Sequence, residues 1–290
     1  MKKQSYSHGK LLISSAFASS ELTEKWIQGK QFLKYEKSQF QLGKKSRKRN
    51  KLYCFDYEPE NCSVIMKVSQ ISQHYKLGRK INLFLTSLFK DYNHRGFISS
   101  LRLQQAGVDT IMPIAYWTFK SSLLNRKSYL LYQKVESELT VFELCRHILQ
   151  SEVTNKDVLI ETIANRCVDI VQKIHAANIR HDDPHGNNIL TDLDRRNLAQ
   201  LSVEDIVSAR FTLIDNDRCT LAKTVTPALK RFFDLKCLVR FRICELPQQE
   251  LLRLYLGRDY RTCWWRVFSF WNSGGFSIRK RLYSLQKQAQ

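Results

Sequence analysis

Apolar and polar positions alternate in short runs through the early part of the chain, a pattern typical of β-strands that bury one face. LYCFDY (52–57) alternates in this way, and SVIMKVS (63–69) follows it after EPEN (58–61), where proline and asparagine favour a turn. These three segments together predict a β-hairpin. The preceding stretch QFLKYEKSQFQL (31–42) is predicted to be a further strand.

The next segments predict one helix and one buried strand. Residues 76–106 are expected to be mainly helical, and Ala106-Gly107 marks the end, because glycine readily adopts the left-handed conformation that terminates helices. SYLLYQKV (128–135) is apolar over most of its length and predicts a strand in the core.

From about residue 157 the apolar period becomes helical. One face of this predicted helix collects Ile160, Ile163, Cys167, Ile170, Val171 and Ile174. Asn178 lies where the chain would leave the helix in a left-handed conformation. Two short apolar strands are predicted after it, one beginning with Ile189-Leu190 and one at 211–214.

The order of these elements predicts the architecture. Strands with one helix come first, a mostly helical half follows, and residues 225–290 are expected to be helical. This order fits an α+β enzyme of two lobes with a cleft between them. We place a strand-rich N-terminal lobe at residues 1–135 and a mainly helical C-terminal lobe at 136–290, with SYLLYQKVES (128–137) as a candidate hinge.

The charge of the chain adds a class of partner. The 290 residues are 43% hydrophobic, which is enough for a substantial core, and the formal net charge is +20. Such an excess of cations points to a polyanionic partner, which could be nucleic acid, an anionic membrane or a phosphorylated substrate.

The cysteines and the apolar runs argue against a zinc-finger protein, a membrane-spanning protein and a secreted protein. The eight cysteines form no C-x-x-C pair and show no zinc-finger spacing, so we expect a reducing compartment and no structural metal. No apolar run approaches the roughly 20 residues that span a bilayer. LLISSAF (11–17) resembles a signal peptide only faintly, because the run is short and broken by serines.

Two basic segments have both a structural and a functional interpretation. KKSRKRNK (44–51) carries six cations in eight residues, as a solvated hairpin tip or as a contact for the phosphates of ATP or of an anionic glycolipid. The tail CWWRVFSFWNSGGFSIRKRLYS (263–284) mixes aromatic and basic residues. It fits a packed final helix, or binding at the headgroup region of an anionic membrane.

The densest cluster of polar residues is HDDPHGNNIL (181–190), and it fits phosphoryl transfer from ATP. This chemistry needs a carboxylate that orients the acceptor hydroxyl and takes its proton, and an amide oxygen with a second carboxylate to hold Mg²⁺. In kinases the base and the metal-binding asparagine lie five residues apart. Two registers satisfy this spacing, Asp182 with Asn187 and Asp183 with Asn188.

The second register is favoured by its neighbours. Asn188 directly precedes the strand that begins at Ile189, and Asp183 has His181 two residues before it and His185 two after it. We therefore assign Asp183 as the base and Asn188 as a metal ligand. His185 is expected to brace the loop by hydrogen bonds.

Two further groups complete the predicted site. The second metal carboxylate should end a nearby apolar strand, and FTLIDNDR (211–218) provides Asp215 there, with Asp217 as a weaker candidate one step further out. Lys67 stands alone among apolar neighbours in its strand and is assigned to the nucleotide phosphates. Lysines are seldom buried without a partner, which supports this assignment.

A family resemblance follows from these residues. The pattern His181-x-Asp183-x-His185-x-x-Asn188-Ile-Leu is similar to the loop of small-molecule and atypical kinases, which include aminoglycoside phosphotransferases, RIO kinases and bacterial lipopolysaccharide core kinases. The last group is resembled most, from about residue 50 to 245, through FISSLRLQQAGVDTIMPIAYW (97–117), SYLLYQKV, IHAANIRHDD (174–183), LIDNDR (213–218) and RFFDLKCLVRF (231–241).

The resemblance implies a protein-kinase-like fold, ATP and Mg²⁺ as cofactors, and phosphorylation of a heptose or Kdo sugar. It also implies work on the cytoplasmic face of the bacterial inner membrane, as a peripheral protein whose substrate is a lipid-anchored core oligosaccharide. Gln133 and Val135, in the hinge segment, are assigned to nucleotide binding. Neither a nucleic acid nor an obligate protein partner is expected.

The chain departs from the kinase pattern in its first lobe. No glycine-rich phosphate loop is visible. No glutamate lies between Glu60 and Glu136, so the usual glutamate partner of the strand lysine cannot come from the following helix. Ser99 or Ser100 is expected at that position, where family members often carry asparagine.

Further departures and one supporting residue lie in the second lobe. After the metal aspartate, Asn216 replaces the usual apolar residue and Asp217 replaces the usual glycine. Asp234 is expected to be a structural carboxylate that holds the catalytic loop in place.

The sequence thus predicts a lipopolysaccharide core kinase. Two alternatives stay open: a RIO-like protein kinase acting on a partner associated with nucleic acid, and a pseudokinase that binds anionic glycolipid without catalysis.

Overall fold

The fold is given by a computed structural model. It describes residues 2–6, 9–14, 20–37, 50–70, 91–120, 126–137, 139–221, 231, 234, 235, 237, 238 and 248–256. Most of the basic segment 44–51, the first part of the helix expected at 76–106, and the whole tail 263–284 lie outside the described residues.

A six-stranded antiparallel sheet dominates the first lobe. Its strands are β1 (Lys2–Tyr6), β2 (Gly9–Ile13), β3 (Asn50–Tyr57), β4 (Cys62–Gln70), β5 (Pro113–Lys120) and β6 (Arg126–Gln133), in the order β1-β2-β5-β6-β4-β3. The predicted hairpin is confirmed, because β3 pairs with β4 in a register that places Leu52 opposite Lys67. Asn61 makes the turn with a φ of 47°.

The strand expected at 31–42 is wrong where the structure describes it. Residues 32–37 form the short helix α2 (Phe32–Lys37), which follows α1 (Ser20–Gln28). Phe32 and Tyr35 are three residues apart, so a helix turns both towards Trp26, with ring centroids 6.1 and 6.2 Å away. Packing against the aromatic outer face of the sheet therefore decides the conformation of this segment over its local alternation.

Helix α3 (Tyr92–Gln105) lies on the other face of the sheet, where Phe97 packs against Leu12, Tyr116 and Leu130. Asp91 caps its start by accepting the backbone N–H groups of Asn93 and His94. Its end agrees with the prediction, since the helix stops before Gly107, whose φ is 70°.

The second lobe is mainly helical. Its helices are α4 (Val141–Gln150), α5 (Lys156–Ala176), α6 (Val203–Ser208) and α7 (Gln248–Leu256). The helix predicted from about residue 157 is confirmed as α5, and Asn178 leaves it with a φ of 57°. All six apolar residues predicted for its inner face are buried in the core of this lobe.

Short strands at the edge of the helical lobe carry the polar loops. One sheet has the order β10-β9-β7, with β7 (Leu139–Thr140), β9 (Ile189–Thr191) and β10 (Phe211–Leu213), and β8 (Ile179–Arg180) pairs with β11 (Thr220–Leu221). The α+β class with a strand-rich and a helical lobe is thus confirmed. The division at residues 135 and 136 stays a prediction. Among the helices of the described ranges, none combines the length and apolar character that a membrane crossing requires.

Candidate active site

A buried lysine on β4 connects the two lobes. Met66 and Val68 point into the core on one face of the sheet, so alternation turns Lys67 to the opposite face. The Nζ atom of Lys67 donates to Oδ1 of Asp215 at 2.6 Å and to Oδ2 of Asp217 at 3.0 Å. The structure therefore brings together three of the residues singled out in the sequence.

The charges of this cluster shift one another. Burial by itself would lower the pKa of Lys67, but the carboxylates of Asp215 and Asp217 outweigh it and hold that pKa above its usual value. Burial opposes ionisation of Asp215 too, yet the Lys67 ammonium lowers the pKa of Asp215 below its ordinary range. Burial raises the pKa of Asp217, and the negative charge of Asp215 adds to that rise.

The turn after β10 carries the two carboxylates in different surroundings. Asp215 has a φ of 60° and ψ of 48°, a left-handed conformation that is uncommon outside glycine and recurs at functional sites. A 3₁₀ turn, Asn216–Arg218, follows directly. The strand geometry expected for Asp217 is therefore wrong: the turn directs it inward, and it is 7% exposed.

Asp234 holds the polar loop 181–190 in place through hydrogen bonds to its backbone. Its carboxylate accepts the backbone N–H of His181 at 2.9 Å and of Asp182 at 2.7 Å, and lies 3.1 Å from Nε2 of His175. Asp234 is fully buried, so these bonds are shielded from water.

Removing this carboxylate should destabilise the chain strongly. Asp234→Ala leaves a buried backbone donor at His181 and a partly buried one at Asp182 without their acceptor, and we expect the free energy of unfolding to fall by about 3–5 kcal/mol. Urea denaturation measures the loss. Asp194→Ala is the matched control, because Asp194 also accepts a backbone N–H, that of Arg196 at 2.8 Å, but at an exposed site. There the loss should be about 1 kcal/mol, and equal losses would contradict the anchoring role.

The two candidate bases differ sharply in their contacts. Asp182 has a φ of 67° and is ion-paired with Arg180, and Thr220 donates to it at 3.2 Å. The carboxylate of Asp183 instead accepts from Nη1 of Arg218 at 3.0 Å. Both aspartates thus pair with an arginine of the second lobe: Asp182 with Arg180, and Asp183 with Arg218, the residue that follows Asp217.

Asn188 is tied to both sides of the predicted metal site. Its Nδ2 donates to the backbone oxygen of Asp183 at 2.9 Å, and its backbone oxygen accepts from the N–H of Ile214 at 2.8 Å. The amide oxygen accepts no hydrogen bond from the described residues. An amide oxygen beside the strand that leads to Asp215 suits Mg²⁺, which commonly takes one or two carboxylates plus phosphate oxygens.

A search of the described residues for three or more clustered His, Cys, Asp or Glu side chains of metal-binding type finds none. The predicted magnesium ligands, Asn188 and Asp215, are one amide and one carboxylate, so they do not form such a cluster. A bound nucleotide would supply the other ligands.

The two histidines of the loop brace it in different ways. Burial lowers the pKa of His185, and the carboxylates of Asp183 and Asp215 oppose this; Nε2 of His185 lies 3.7 Å from Oδ1 of Asp183. The backbone of His185 donates to the backbone oxygen of Asp183 at 2.9 Å. Nε2 of His181 lies 3.1 Å from Oδ1 of Asn216, in the turn next to Asp215.

Asn216 is the centre of a buried polar network that the sequence did not predict. Its Nδ2 donates to Oγ of Ser100 at 2.8 Å and to Oγ1 of Thr110 at 2.6 Å. Both hydroxyls donate elsewhere, to the backbone oxygens of Gly96 and Leu213. The amide oxygen of Asn216 must then accept, so Nε2 of His181 carries a proton. The sequence did contain a signal for this network, because Ser100 and Asn216 are polar residues in segments that are otherwise mostly apolar.

The helix position expected to replace the missing glutamate needs a correction. Of the two serines expected there, Ser100 accepts a hydrogen bond from Asn216, whereas the assignment of the buried Ser99 stays a prediction. Gly96, one turn earlier on the same face, approaches the lysine cluster, because a Cβ atom built on it would lie 3.6 Å from the Cα of Asp217.

Gln133 and Val135 lie on the path from the sheet to the helical lobe. Gln133 is the last residue of β6 and is exposed, and its N–H donates to the backbone oxygen of Met112 at 3.0 Å. Val135 follows it and is half-buried. Within the described ranges, no hydrogen bond or ion pair joins either side chain to Lys67, Asp183 or Asp215, so their assignment to nucleotide binding stays a prediction.

Comparison with known proteins identifies the fold. A solved structure described as "WaaP in complex with acyl carrier protein" matches with a TM-score of 0.57 and 15% sequence identity, over 97% of this chain and 99% of that chain. A BubR1 kinase domain matches with a TM-score of 0.36 and 13% identity, over 79% of this chain and 52% of that one. A search of curated proteins found no match.

A family model matches across most of the residues that build the site. The model is that of the lipopolysaccharide kinase (Kdo/WaaP) family, and it matches residues 69–257. This range contains the polar loop 181–190, the turn after β10 and Asp234, and begins two residues after Lys67. The chain belongs to the lipopolysaccharide kinase (Kdo/WaaP) family.

Proposed function

We propose that this lipopolysaccharide kinase transfers the γ-phosphoryl group of ATP, with Mg²⁺, to a hydroxyl of a heptose or Kdo sugar in the inner core. The observation that carries the proposal is the cluster of Lys67 with Asp215 and Asp217, joined through Arg218 to Asp183. It unites a strand lysine, a carboxylate at a strand end and a loop carboxylate, which phosphoryl transfer requires together.

Each residue has a role that its contacts support. Asp183 orients the acceptor hydroxyl and receives its proton, and its loop is held by Asp234. Lys67 contacts the nucleotide phosphates once a nucleotide enters the cleft, with Gln133 and Val135 lining the nucleotide side. Asn188 and Asp215 would hold Mg²⁺, which neutralises phosphate charge when bound. Positioning and charge neutralisation supply most of the rate enhancement.

The charges around the base favour an anionic acceptor. Arg218 places a half-exposed guanidinium 3.0 Å from the Asp183 carboxylate, and the chain carries a net charge of +20. A lipid-anchored core oligosaccharide lies at an anionic membrane surface, which would attract these cations. We therefore propose peripheral association with the cytoplasmic face of the inner membrane, and two lobes that divide at residues 135 and 136.

The direct test uses the purified chain with ATP, Mg²⁺ and core oligosaccharide isolated from cells that lack the protein. Mass spectrometry of the product should show the added mass of one phosphoryl group. Fragmentation of the product ion then identifies the sugar that carries it. A parallel reaction without Mg²⁺ should leave the oligosaccharide unmodified. The proposal would be overturned if phosphate were transferred neither to heptose-only acceptors nor to Kdo-containing acceptors.

The two alternatives predict different results in the same preparation. A pseudokinase would bind core oligosaccharide but transfer nothing. A RIO-like protein kinase would phosphorylate protein, and binding to RNA that weakens steeply with salt would support it. The family match over residues 69–257 favours the lipopolysaccharide kinase over both.

A further inference from the structure

The kinase pattern leaves Lys67 without its usual helix partner, and the structure supplies a substitute. Residues 92–105 of α3 contain no aspartate or glutamate. A lysine as buried as Lys67 needs an anionic partner, because an unpaired charge in the interior is costly. The partner must therefore come from outside α3.

Two carboxylates reach Lys67, and they differ in exposure. The side chain of Asp215 is 41% exposed, whereas that of Asp217 is 10% exposed, the same fraction as that of Lys67. The exposed carboxylate can take part in ligand binding from the cleft. The buried one is enclosed with the lysine, which suits a permanent partner.

Gly96 is the residue of α3 that lies against Asp217. A Cβ atom at Gly96 would lie 3.6 Å from both Cα and Cβ of Asp217 and 3.2 Å from Cδ2 of Leu130. A larger side chain there would compete with Asp217 for the space beside the lysine. Glycine costs about 0.5–1 kcal/mol relative to alanine inside a helix, and the close approach of Leu130 is a physical reason for its presence, while Asp217 lies at an ordinary contact distance.

The turn that carries Asp217 is held against the same helix face. One turn after Gly96, the hydroxyl of Ser100 accepts a hydrogen bond from Asn216 at 2.8 Å, and Thr110 accepts a second one at 2.6 Å. The bond to Ser100 fixes the turn to α3, and the bond to Thr110 fixes it to the segment between α3 and β5, so together they hold the turn that carries Asp217.

We propose that Asp217 is the positioning residue of Lys67, supplying from the second lobe the carboxylate that α3 lacks, in space left by Gly96. The inference rests on the proposed function. Asp217 keeps Lys67 directed into the cleft when Asp215 turns to the metal. Asp217 itself stays out of contact with the metal.

The first test is Asp217→Asn, which keeps the size of the side chain and removes its charge. Without the carboxylate, Lys67 is held by Asp215 alone, and we expect kcat/KM for ATP to fall by about 10- to 100-fold. The affinity for MgATP, measured by titration calorimetry without acceptor, should fall as well. The Mg²⁺ concentration for half-maximal activity should stay at the wild-type value, because the metal ligands are unchanged.

The second test moves the carboxylate back to the helix. In Asp217→Gly, kcat/KM for ATP should fall at least as far as in Asp217→Asn. The double variant Gly96→Glu with Asp217→Gly should have a kcat/KM about 10-fold higher than Asp217→Gly alone. Gly96→Glu alone, with Asp217 still present, is the matched control and should impair MgATP binding through crowding. Thermal unfolding of each variant shows that the compared chains are folded.

Unchanged kcat/KM and MgATP affinity in Asp217→Asn would overturn the inference, as would a shifted Mg²⁺ requirement, which would make Asp217 a metal ligand. A double variant no better than Asp217→Gly would also count against it. Failure of the proposed function looks different: the wild-type chain would transfer no phosphate to core sugars, while the MgATP affinities would still report on Lys67.

Discussion

Asp183→Asn should reduce phosphate transfer to core oligosaccharide by about 10²- to 10⁴-fold, the usual contribution of a positioned general base. The substitution keeps the shape of the side chain but removes its capacity to take a proton. The fold should be nearly unaffected, because the bonds that shape the loop use the backbone oxygen of Asp183, which accepts from Asn188 and His185. Single-turnover transfer and thermal unfolding measure the two effects.

Asp182→Asn is the matched control for this experiment. Asp182 is the adjacent residue in the same loop, and asparagine tolerates its φ of 67°. The variant weakens the pairing with Arg180 at a partly exposed site, so a small loss of stability and near-normal transfer are expected. If Asp182→Asn is the inactive variant and Asp183→Asn the active one, the register of the loop is reversed.

Asp215→Asn should abolish the stabilisation of the chain by MgATP and reduce transfer on the order of 10³-fold, because the metal contributes several kcal/mol of charge stabilisation. When the MgATP concentration is 100 times the dissociation constant, the free energy of unfolding of the wild-type chain should rise by about 2.7 kcal/mol. The variant should gain far less. Lys67 keeps Asp217 as a buried partner, so the variant without ligand should remain folded.

Differential scanning fluorimetry with and without MgATP measures this effect. Wild-type chain with ATP and EDTA is the internal comparison and should resemble the variant, since both lack a bound metal. A full MgATP shift in Asp215→Asn would show that this carboxylate does not hold the metal, and the site would have to be rebuilt around other residues.

Local pattern was sufficient for several elements of the second lobe within the part of the chain that the structure describes. The helix α5 and its end at Asn178 follow from a helical apolar period and a residue that tolerates positive φ. The spacing within 181–190 singled out Asp183 and Asn188, whose side-chain and backbone atoms the loop joins. Such features depend on residues close together in the chain, where periodicity and spacing are informative.

Features that depend on distant contacts were missed or misassigned. The helix at 32–37 is decided by aromatic packing against Trp26, which lies on another element. The relation between Gly96 and Asp217 joins a helix of the first lobe to a turn of the second. No local pattern encodes such a contact, because its energy depends on how the lobes meet.

By itself the sequence predicted the kinase family, through a resemblance carried by a strand lysine, a loop with an aspartate and an asparagine five residues apart, and an aspartate after an apolar strand. Each of these is a short-range pattern that the chemistry requires. Only the tertiary structure decided which carboxylates share Lys67 and which helix residue makes room for them. Charge pairing in the interior depends on distances between segments that the linear order leaves open, and folding sets those distances.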